Sequence, residues 1–227
     1  MTGVAGLSVI IPCLNAGRTL GPVLAAVSGS PVSEILVVDG GSTDDTGQVA
    51  AAHGASVIRT AAGRGHQMRQ GAAAAKGPWL LFLHGDTRLA PGWRDLADSF
   101  MRDPANRSRA GAFRLRLDSD RAAARRIERL VAWRCHALGL PWGDQGLLIH
   151  RDLLATVGGY PELPLMEDVT LVRRIGRRRL HMLDADAVTS AARYERDGWW
   201  ARPLRNACLL TLHVLGVPPR ILLRLYG

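Results

Sequence analysis

The first 90 residues alternate between short apolar runs and longer segments in which apolar residues recur at helical spacing. The apolar runs have the length and composition of strands that are buried on both faces of a sheet. The segments between them have helical spacing. In the segment at 18–28, for example, Leu20, Leu24 and Val27 lie three or four positions apart, which is typical of an amphipathic helix. The pattern predicts strands at 7–11, 34–39, 55–59 and 79–83, and helices at 18–28, 43–53 and 65–75.

This strand–helix alternation predicts an α/β fold with a mostly parallel central sheet and helices on both of its faces. Pro12 is expected to stop the first strand. The second half is less regular, and no repeat or linker divides the chain, so a single domain over residues 1–227 is the simplest interpretation. The elements predicted there are helices at 91–102, 122–137, 168–176 and from 204 onward, strands at 111–117 and 146–149, and a short helix ending at 157.

Two carboxylates follow predicted strands directly, Asp39 after the second and Asp86 after the fourth. In open α/β sheets, ligands bind beyond the carboxyl ends of parallel strands. We therefore expect a nucleotide pocket there, with Asp39 bonded to a base or ribose and Asp86 to a divalent cation that is completed by phosphate oxygens. The alternative is that Asp86 only caps the helix after Pro91.

The net charge of +9 comes from a strongly arginine-rich composition, since Lys76 is the one lysine among 29 basic residues. Arginine suits an anionic ligand such as phosphate, although a GC-rich genome would produce the same bias. The arginines are scattered and have no aromatic platform beside them, which argues against nucleic-acid binding.

Compartment and membrane topology are predicted from cysteines and apolar runs. The three cysteines, Cys13, Cys135 and Cys208, lie far apart in apolar surroundings and are expected to be buried thiols in a reducing compartment. The N-terminus has no signal-peptide pattern, and the uncharged run at 206–219 is too short to span a bilayer. A cytoplasmic protein is therefore expected.

Motifs of two other nucleotide-binding classes are absent. A dinucleotide site needs G-x-G-x-x-G after the first strand, where this chain has PCLNAG at 12–17. The sequence also contains no G-x-x-x-x-G-K-[ST], which excludes a P-loop enzyme.

Four short motifs together resemble the family 2 glycosyltransferases. They are VIIPCLN at 9–15, VVDGGSTD at 37–44, LHGD at 83–86 and ED at 167–168, and their order and spacing match over roughly residues 7 to 180. The stretches GDQG at 143–146 and RYERDGW at 193–199 are similar to a small bacterial subgroup found beside radical-enzyme or selenium-related genes, whose acceptors are undefined.

This resemblance implies the GT-A fold, in which a nucleotide-binding half, about 1–90 here, merges with an acceptor-binding half, about 91–198. It implies transfer of a sugar from a nucleoside diphosphate to an acceptor hydroxyl with inversion, assisted by Mn²⁺ or Mg²⁺. Asp39 then matches the nucleoside-binding aspartate, Asp86 the last carboxylate of the family's D-x-D, and Asp168 the base beside Glu167. The donor site is expected to include Pro12, Leu14, Asn15, Asp39, Gly41, Arg64, Gly65 and Asp86.

The chain departs from the family pattern at His84, where the first Asp of D-x-D is usual. A neutral imidazole can still bind Mn²⁺, whereas Mg²⁺ prefers oxygen ligands. His84 and Asp86 are therefore the expected metal ligands, and the alternative for His84 is a bond to backbone at the strand end. Without the resemblance, Glu167 and Asp168 would be taken for acidic partners of a helix dipole.

The remaining candidates each carry an open alternative. Arg64 and Gly65 meet phosphate or only cap a helix. Asp144 and Gln145 contact sugar or acceptor, or belong to a buried turn. Arg173 and Arg174 neutralise the leaving diphosphate, or are merely solvated.

The C-terminal tail, about 199–227, interleaves apolar residues with arginines. It is expected to pack on its own domain or on a second copy in a homodimer. The alternative is a peripheral position in the membrane interface, with the arginines at anionic head groups. The hypotheses that remain beside a transferase are a nucleotide-sugar-binding module without catalysis and a nucleotidyltransferase of related architecture.

Overall fold

The structure is a computed structural model that describes residues 6–29 and 32–226. The first five residues, on which part of the signal-peptide expectation depends, lie outside this range. The strands are β1 (Leu7–Cys13), β2 (Glu34–Asp39), β3 (Ser56–Arg59), β4 (Trp79–Phe82), β5 (Thr87–Leu89), β6 (Ala110–Leu117), β7 (Leu147–His150) and β8 (Leu180–Thr189).

Ten α-helices lie within the described residues, together with three short 3-10 turns at 104–108, 143–145 and 177–179. Every helix predicted in the first half is present. The helices are α1 (Gly17–Val27), α2 (Thr46–Ala52), α3 (Arg64–Ala74), α4 (Trp93–Arg102), α5 (Ala122–Leu138), α6 (Arg151–Thr156), α7 (Glu167–Ile175), α8 (Ala192–Asp197), α9 (Ala201–Val214) and α10 (Pro219–Tyr226).

All eight strands form one sheet in the order β3-β2-β1-β4-β7-β6-β8-β5. The four strands predicted first are parallel neighbours, as expected. In the second half β6 and β8 are parallel, and β7 and β5 run antiparallel to their neighbours. The predicted mostly parallel sheet is confirmed. The boundaries proposed near residues 90 and 198 stay predictions, because the sheet continues through both halves.

Alternate residues of the central strands enter two separate cores. On one face Val9, Ile11 and Leu81 pack with α1, α2 and α4. On the other face Ile10 and Phe82 pack with α3, α6 and α7. Helices therefore cover both faces, which is why these strands are continuously apolar.

Strand β1 continues through Pro12 to Cys13, so the expectation that Pro12 ends it is wrong. The Ile10 carbonyl accepts from Leu83 on the β4 side, and the Cys13 carbonyl accepts from Gly40 on the β2 side. Residues alternate in direction along a strand, so Pro12 faces the β4 side, where pairing with β4 has already ended at Ile10. Its missing N–H therefore breaks no ladder bond.

The longest strand, β8, is absent from the sequence prediction, and β5 is absent as well. Asp184 and Asp186 interrupt the apolar pattern of β8. Both carboxylates pair with Arg114 on the neighbouring strand β6, the Asp186 Oδ1 at 2.9 Å from the arginine Nε. The polar residues of β8 are thus cross-strand partners, which a pattern read along one strand does not reveal.

The C-terminal segment folds as two helices, where a single apolar helix was expected from Leu204. Gly216, with φ of +91°, and Pro218 lie between α9 and α10, and Pro219 is the first residue of α10. Leu209 and Leu222 are buried against the start of α7. The predicted packing on the domain is confirmed for these side chains, and no helix in the described part of the chain combines the length and apolarity needed to cross a bilayer.

Candidate functional site

The ends of β1 and β2 lie side by side, with Cys13 opposite Asp39 in the parallel register. The loops that follow are joined by hydrogen bonds. The Asn15 side-chain carbonyl accepts from the Thr43 N–H at 2.9 Å, and the Asn15 N–H donates to the Ser42 hydroxyl at 2.9 Å. Asn15 adopts a left-handed conformation with φ of +52°, which this residue type tolerates better than most.

Asp39 is 5% exposed and accepts two hydrogen bonds through Oδ1, from the Ser42 N–H and from the Ser42 hydroxyl. We call Asn15, Asp39, Ser42 and Thr43 the Asp39 cluster. Gly41 beside it has φ of +95° and open space where a side chain would be. These hydrogen bonds join the loops after β1 and β2, so the Asp39 cluster is a connected polar surface at the sheet edge.

Pro12 and Leu14 lie at the same edge, and Leu14 is 52% exposed. The buried Gln67 of α3 donates from its Nε2 to the carbonyls of Cys13 and Val38, at 2.8 and 2.7 Å. Gln67 therefore fixes the spacing of the two strand ends from below. The exposed Leu14 side chain next to the polar Asp39 cluster is a surface on which a planar ring can pack.

A pocket beside the Asp39 cluster opens at the end of β4. Its lining includes four charged or titratable side chains: Arg64 at the start of α3, His84 and Asp86 after β4, and Asp168 in the first turn of α7. The remaining lining residues are Trp142, Asp144, Leu165, Met166, Val169, Thr189, Ser190, Arg193, Tyr194, Arg202 and Asn206.

Glu167 forms an ion pair with Arg64, between Oε1 and Nε, over a separation of 103 residues in the chain. The Glu167 side chain is 1% exposed, whereas the Arg64 side chain is 38% exposed. Burial raises the pKa of Glu167, and the charge of Arg64 offsets only part of that effect. The Glu167 Oε2 atom is buried and has no hydrogen-bond partner among the described residues.

Asp168 points into the pocket and accepts from the Gly143 N–H at 2.8 Å through Oδ2. Burial acts to raise its pKa, but the charge of Arg64 and the Gly143 bond outweigh it, so the pKa of Asp168 lies below its usual value. The side chain is thus a carboxylate at neutral pH and is able to accept a proton. A side chain on Gly143 would meet His84 Nε2 at 2.5 Å, which explains the glycine there.

His84 and Asp144 complete the polar lining. Burial, with help from the charge of Arg64, lowers the pKa of His84 to about 4, so the ring is neutral at pH 7. Burial raises the pKa of Asp144 to about 6. His84 Nε2 and Asp144 Oδ1 are both buried without a hydrogen-bond partner in the described part of the chain. We call the residues that line this pocket, with Arg64, His84, Asp86, Asp144 and Asp168 as its charged and titratable members, the Asp168 pocket. Glu167 pairs with Arg64 and is not itself a lining residue.

The residues present fit a divalent metal only in part. A neutral imidazole nitrogen without a partner is a suitable ligand, and the Asp86 carboxylate follows two residues later. Within residues 6–29 and 32–226 no group of three or more His, Cys, Asp or Glu side chains is arranged to hold an ion. Any ion here would therefore take most of its ligands from a bound substrate, as Mg²⁺ does with phosphates.

Four predicted site residues lie away from the pocket or make contacts inside the protein. Gln145 is 1% exposed and satisfied by Arg134, Trp142 and Phe113. A side chain on Gly65 would meet the Pro161 carbonyl oxygen at 2.4 Å, so this glycine allows close backbone packing. Arg173 and Arg174 are exposed in the last turn of α7. Their ligand contacts stay predictions.

Several pocket residues escaped the sequence analysis. Arg193 lies with its Nη2 at 4.0 Å from Asp86 Oδ2, and Arg202 stacks over Tyr194 at 5.5 Å from the ring centroid. Arg193, Tyr194 and Arg202 follow β8 in the chain, and Asn206 lies on α9. The stretch at 193–199 carries no local signal for the pocket, because its place there depends on strand β8, which the sequence pattern does not predict.

The cysteine prediction is correct for Cys13 and Cys135, which are buried, and wrong for Cys208, which is exposed on α9. Burial, followed by the nearby charge of Asp39, raises the pKa of Cys13 to about 12. The thiol at the sheet edge is therefore inert.

The sequence matches one protein family over more than half of its length and individual relatives over shorter stretches. Residues 8–131, more than half of the chain, match the family described as Glycosyl transferase family 2. An uncharacterized glycosyltransferase of Mycobacterium bovis is 39% identical over 87 residues, which are 38% of this chain and 39% of that protein. The glucosyl-3-phosphoglycerate synthase of Mycolicibacterium smegmatis is 36% identical over 92 residues, 35% of this chain and 30% of that protein. The match thus spans less than half the length of these relatives.

The fold also resembles solved structures, among them the following two. Residues 1–349 of S. aureus TarS align with a TM-score of 0.65 at 19% identity, covering 84% of this chain and 62% of that one. Glucosyl-3-phosphoglycerate synthase from Mycobacterium tuberculosis, solved with Mn²⁺, UDP and glucosyl-3-phosphoglycerate, aligns with a TM-score of 0.58 at 19% identity, covering 81% and 70%. The expected GT-A fold is confirmed.

Proposed function

Because this chain belongs to glycosyl transferase family 2, we propose that it transfers a sugar from a nucleoside-diphosphate sugar to an acceptor hydroxyl, with inversion at the anomeric carbon. One observation carries the proposal. The ionised Asp168 lies in one pocket with His84 and Asp86, next to the sheet edge that holds Asp39. The proposed base, the proposed metal ligands and the proposed nucleoside-binding residue are thus adjacent.

The donor's nucleoside lies over the Asp39 cluster in this proposal. The free Oδ2 of Asp39 accepts from the base or ribose, while Ser42 holds Oδ1. Leu14 and Pro12 contact the base, and Gly41 allows the ribose to approach the backbone. Asn15 holds the two loops in place.

The diphosphate lies at the end of β4. His84 and Asp86 would hold Mn²⁺ or Mg²⁺ there together with diphosphate oxygens, and such an ion offsets the negative charge of the leaving group. Arg193, near Asp86, adds a cation from the protein itself. Arg64 contributes less, because its charge is largely used by Glu167.

Asp168 acts as the base. The acceptor oxygen attacks the anomeric carbon while the bond from that carbon to the diphosphate oxygen breaks. The hydroxyl proton passes to Asp168, and the diphosphate departs with the bonding electron pair. Glu167 and Arg64 hold the first turn of α7, so that Asp168 keeps its direction toward the acceptor.

The rival functions fit the pocket less well. A binding module needs no ionised carboxylate beside the sugar, yet Asp168 is half-buried in the pocket, and a charge that loses part of its hydration is costly unless it is used. A nucleotidyltransferase would need a basic, glycine-rich loop after β1, and residues 12–17 supply none.

The test is release of nucleoside diphosphate from a panel of UDP- and GDP-sugars, preceded by a thermal-shift screen of the free diphosphates with Mn²⁺ or Mg²⁺. A ligand that selects the folded state raises the melting temperature. We expect stabilisation by one diphosphate, and its loss with chelator or in Asp86→Asn. If a nucleoside diphosphate binds but is never released from the corresponding nucleotide sugar, the binding module is supported instead. If neither chelator nor Asp86→Asn changes the stabilisation, the metal assignment is wrong.

A further inference from the structure

The solvent-facing side of α9 is mostly apolar, and its partly exposed cation, Arg205, lies 3.6 Å from the Asp197 carboxylate. Helices on a protein surface normally present polar and charged residues outward, as α4 does with Asp95 and Arg102. Leu204 on α9 is 68% exposed, and Leu215, which directly follows the last residue of α9, is 75% exposed. The exposed positions between and beside them are Ala207, Cys208, Thr211 and Val214.

The neighbouring helix α10 adds apolar and cationic residues to this surface. Ile221, Leu223 and Leu225 are 45–57% exposed, and Arg220 and Arg224 are exposed between them. Neither helix contains an acidic residue. We call the outward sides of α9 and α10, together with Leu215 between them, the tail face, which is apolar with positive charges at its edge.

The tail face is attached directly to the reaction pocket. Leu209 and Leu222, on the inner sides of the two helices, are buried with Met166 and Val169, which flank Asp168 in the chain. The inner side of α9 also supplies Arg202 and Asn206 to the pocket lining. Whatever covers the tail face is therefore held next to the acceptor side of the pocket.

We propose that the tail face docks on an anionic membrane surface. Its apolar residues would enter the interface, and Arg220 and Arg224 would meet anionic head groups. If the transferase function proposed above is correct, the pocket then opens beside the bilayer, and the acceptor is a hydroxyl of a lipid or of a lipid-linked molecule.

Charge favours a lipid surface over a second copy of the chain. In a symmetric dimer the same surface patch of each copy would face the other. The arginines of both tail faces would then be brought together, with no acidic residue in α9 or α10 to offset them. An anionic bilayer offsets both charges at once.

The first experiment is co-sedimentation of the full chain with vesicles of phosphatidylcholine alone or mixed with phosphatidylglycerol. We expect binding to the anionic vesicles that falls at least tenfold at high salt. The double variant Leu204→Gln/Leu215→Gln should lose at least tenfold in partitioning. The matched control Leu130→Gln/Leu138→Gln removes two leucines on α5 that are 52% and 49% exposed and should change it less than twofold.

Cys208 allows a direct measurement, because it is exposed on the tail face while Cys13 and Cys135 are buried. A polarity-sensitive fluorophore on Cys208 should shift to the blue with anionic vesicles. The same dye on Ser99→Cys of α4, in a Cys208→Ser background, should not shift.

Three results would overturn the proposal. They are absence of binding to anionic vesicles, equal loss in the α5 control, and a dimer in solution that Leu204→Gln/Leu215→Gln converts to monomer, which would make a second copy the occupant. Vesicle binding needs no turnover, so its failure is distinguishable from failure of the transferase function.

Discussion

The Asp39 cluster and the Asp168 pocket lie at the same edge of the sheet but satisfy their polar groups differently. In the Asp39 cluster, Asn15, Asp39 and Ser42 bond to one another. In the Asp168 pocket, His84 Nε2, Trp142 Nε1 and Asp144 Oδ1 are buried without partners among the described residues.

This difference indicates that the two regions have different roles in binding and reaction. A cluster held together by its own hydrogen bonds offers a ligand a preformed surface, and Asp39 Oδ2 stays available to that ligand. Buried polar atoms without partners are rare in folded proteins, because each one costs the loss of its hydration. Several of them in one pocket indicate atoms that a substrate completes. The Asp39 cluster is thus suited to holding the donor, and the Asp168 pocket to the reaction.

The largest expected effect is that of Asp168→Asn on turnover. Asparagine keeps the size and can still accept from Gly143, but it cannot take the acceptor proton. Removal of such a base lowers kcat by about 10²–10⁴-fold, while nucleotide affinity should change little. Turnover and calorimetric binding of the variant measure both. Near-normal kcat would transfer the base role to Glu167 or Asp144.

Asp39→Ala should weaken nucleotide binding while the fold is retained. A hydrogen bond to a charged group contributes about 1.5–3 kcal/mol, which corresponds to roughly 10–100-fold in Kd. Ser42→Ala is the matched control, because it removes one support of Asp39 and leaves the carboxylate in place. It should raise Kd only a few fold. An unchanged Kd in Asp39→Ala, measured by titration calorimetry, would refute the donor assignment.

Glu167→Gln tests whether the Asp168 pocket depends on its buried ion pair. The amide leaves the Arg64 charge uncompensated, so the free energy of unfolding should fall by about 1–3 kcal/mol. The control is Glu162→Gln, whose exposed contact with His66 should cost less than about 1 kcal/mol. Denaturant unfolding measures both, and kcat should fall less than in Asp168→Asn. Equal losses of stability would mean that the Arg64–Glu167 pair is no stronger than a surface contact.

Asp144 should produce the smallest effect, visible as a pH dependence of stability. Its pKa is raised by burial from 3.8 to about 6, with Arg134, Asp168, Asp86 and Arg64 as the charged neighbours. Between these values the folded state binds more protons than the unfolded state, so this group's contribution to stability falls as pH rises from about 4 to 6.

The Asp144→Asn variant should therefore gain melting temperature relative to the unmodified protein as pH rises through this range. Thermal unfolding of both proteins in chelator, at several pH values, checks it. A difference that does not vary with pH would mean that Asp144 titrates normally. Asp152→Asn, at an exposed carboxylate, serves as control.

The sequence alone was sufficient for the first four strands and the helices between them. A central parallel strand is apolar on both faces, so its signal is contained in a run of adjacent residues. The place of Asp39 within its cluster followed from the same information, because the carboxyl ends of neighbouring parallel strands must meet at one edge, whereas the bonds among Asn15, Ser42 and Thr43 did not. Asp39 and Asp86 could be placed there before any coordinates.

Only the tertiary structure decided the rest of the Asp168 pocket. The Arg64–Glu167 pair joins residues 103 positions apart, and Arg193 and Asn206 arrive through β8 and α9. Strand β8 is stabilised by pairing with β6, and its aspartates acquire a role only opposite Arg114. The packing of Leu209 and Leu222 on α7, with Leu204 and Leu215 left exposed, likewise depends on which neighbours fold against them. Contacts of this kind are set by the meeting of distant segments, which a pattern along the chain does not contain.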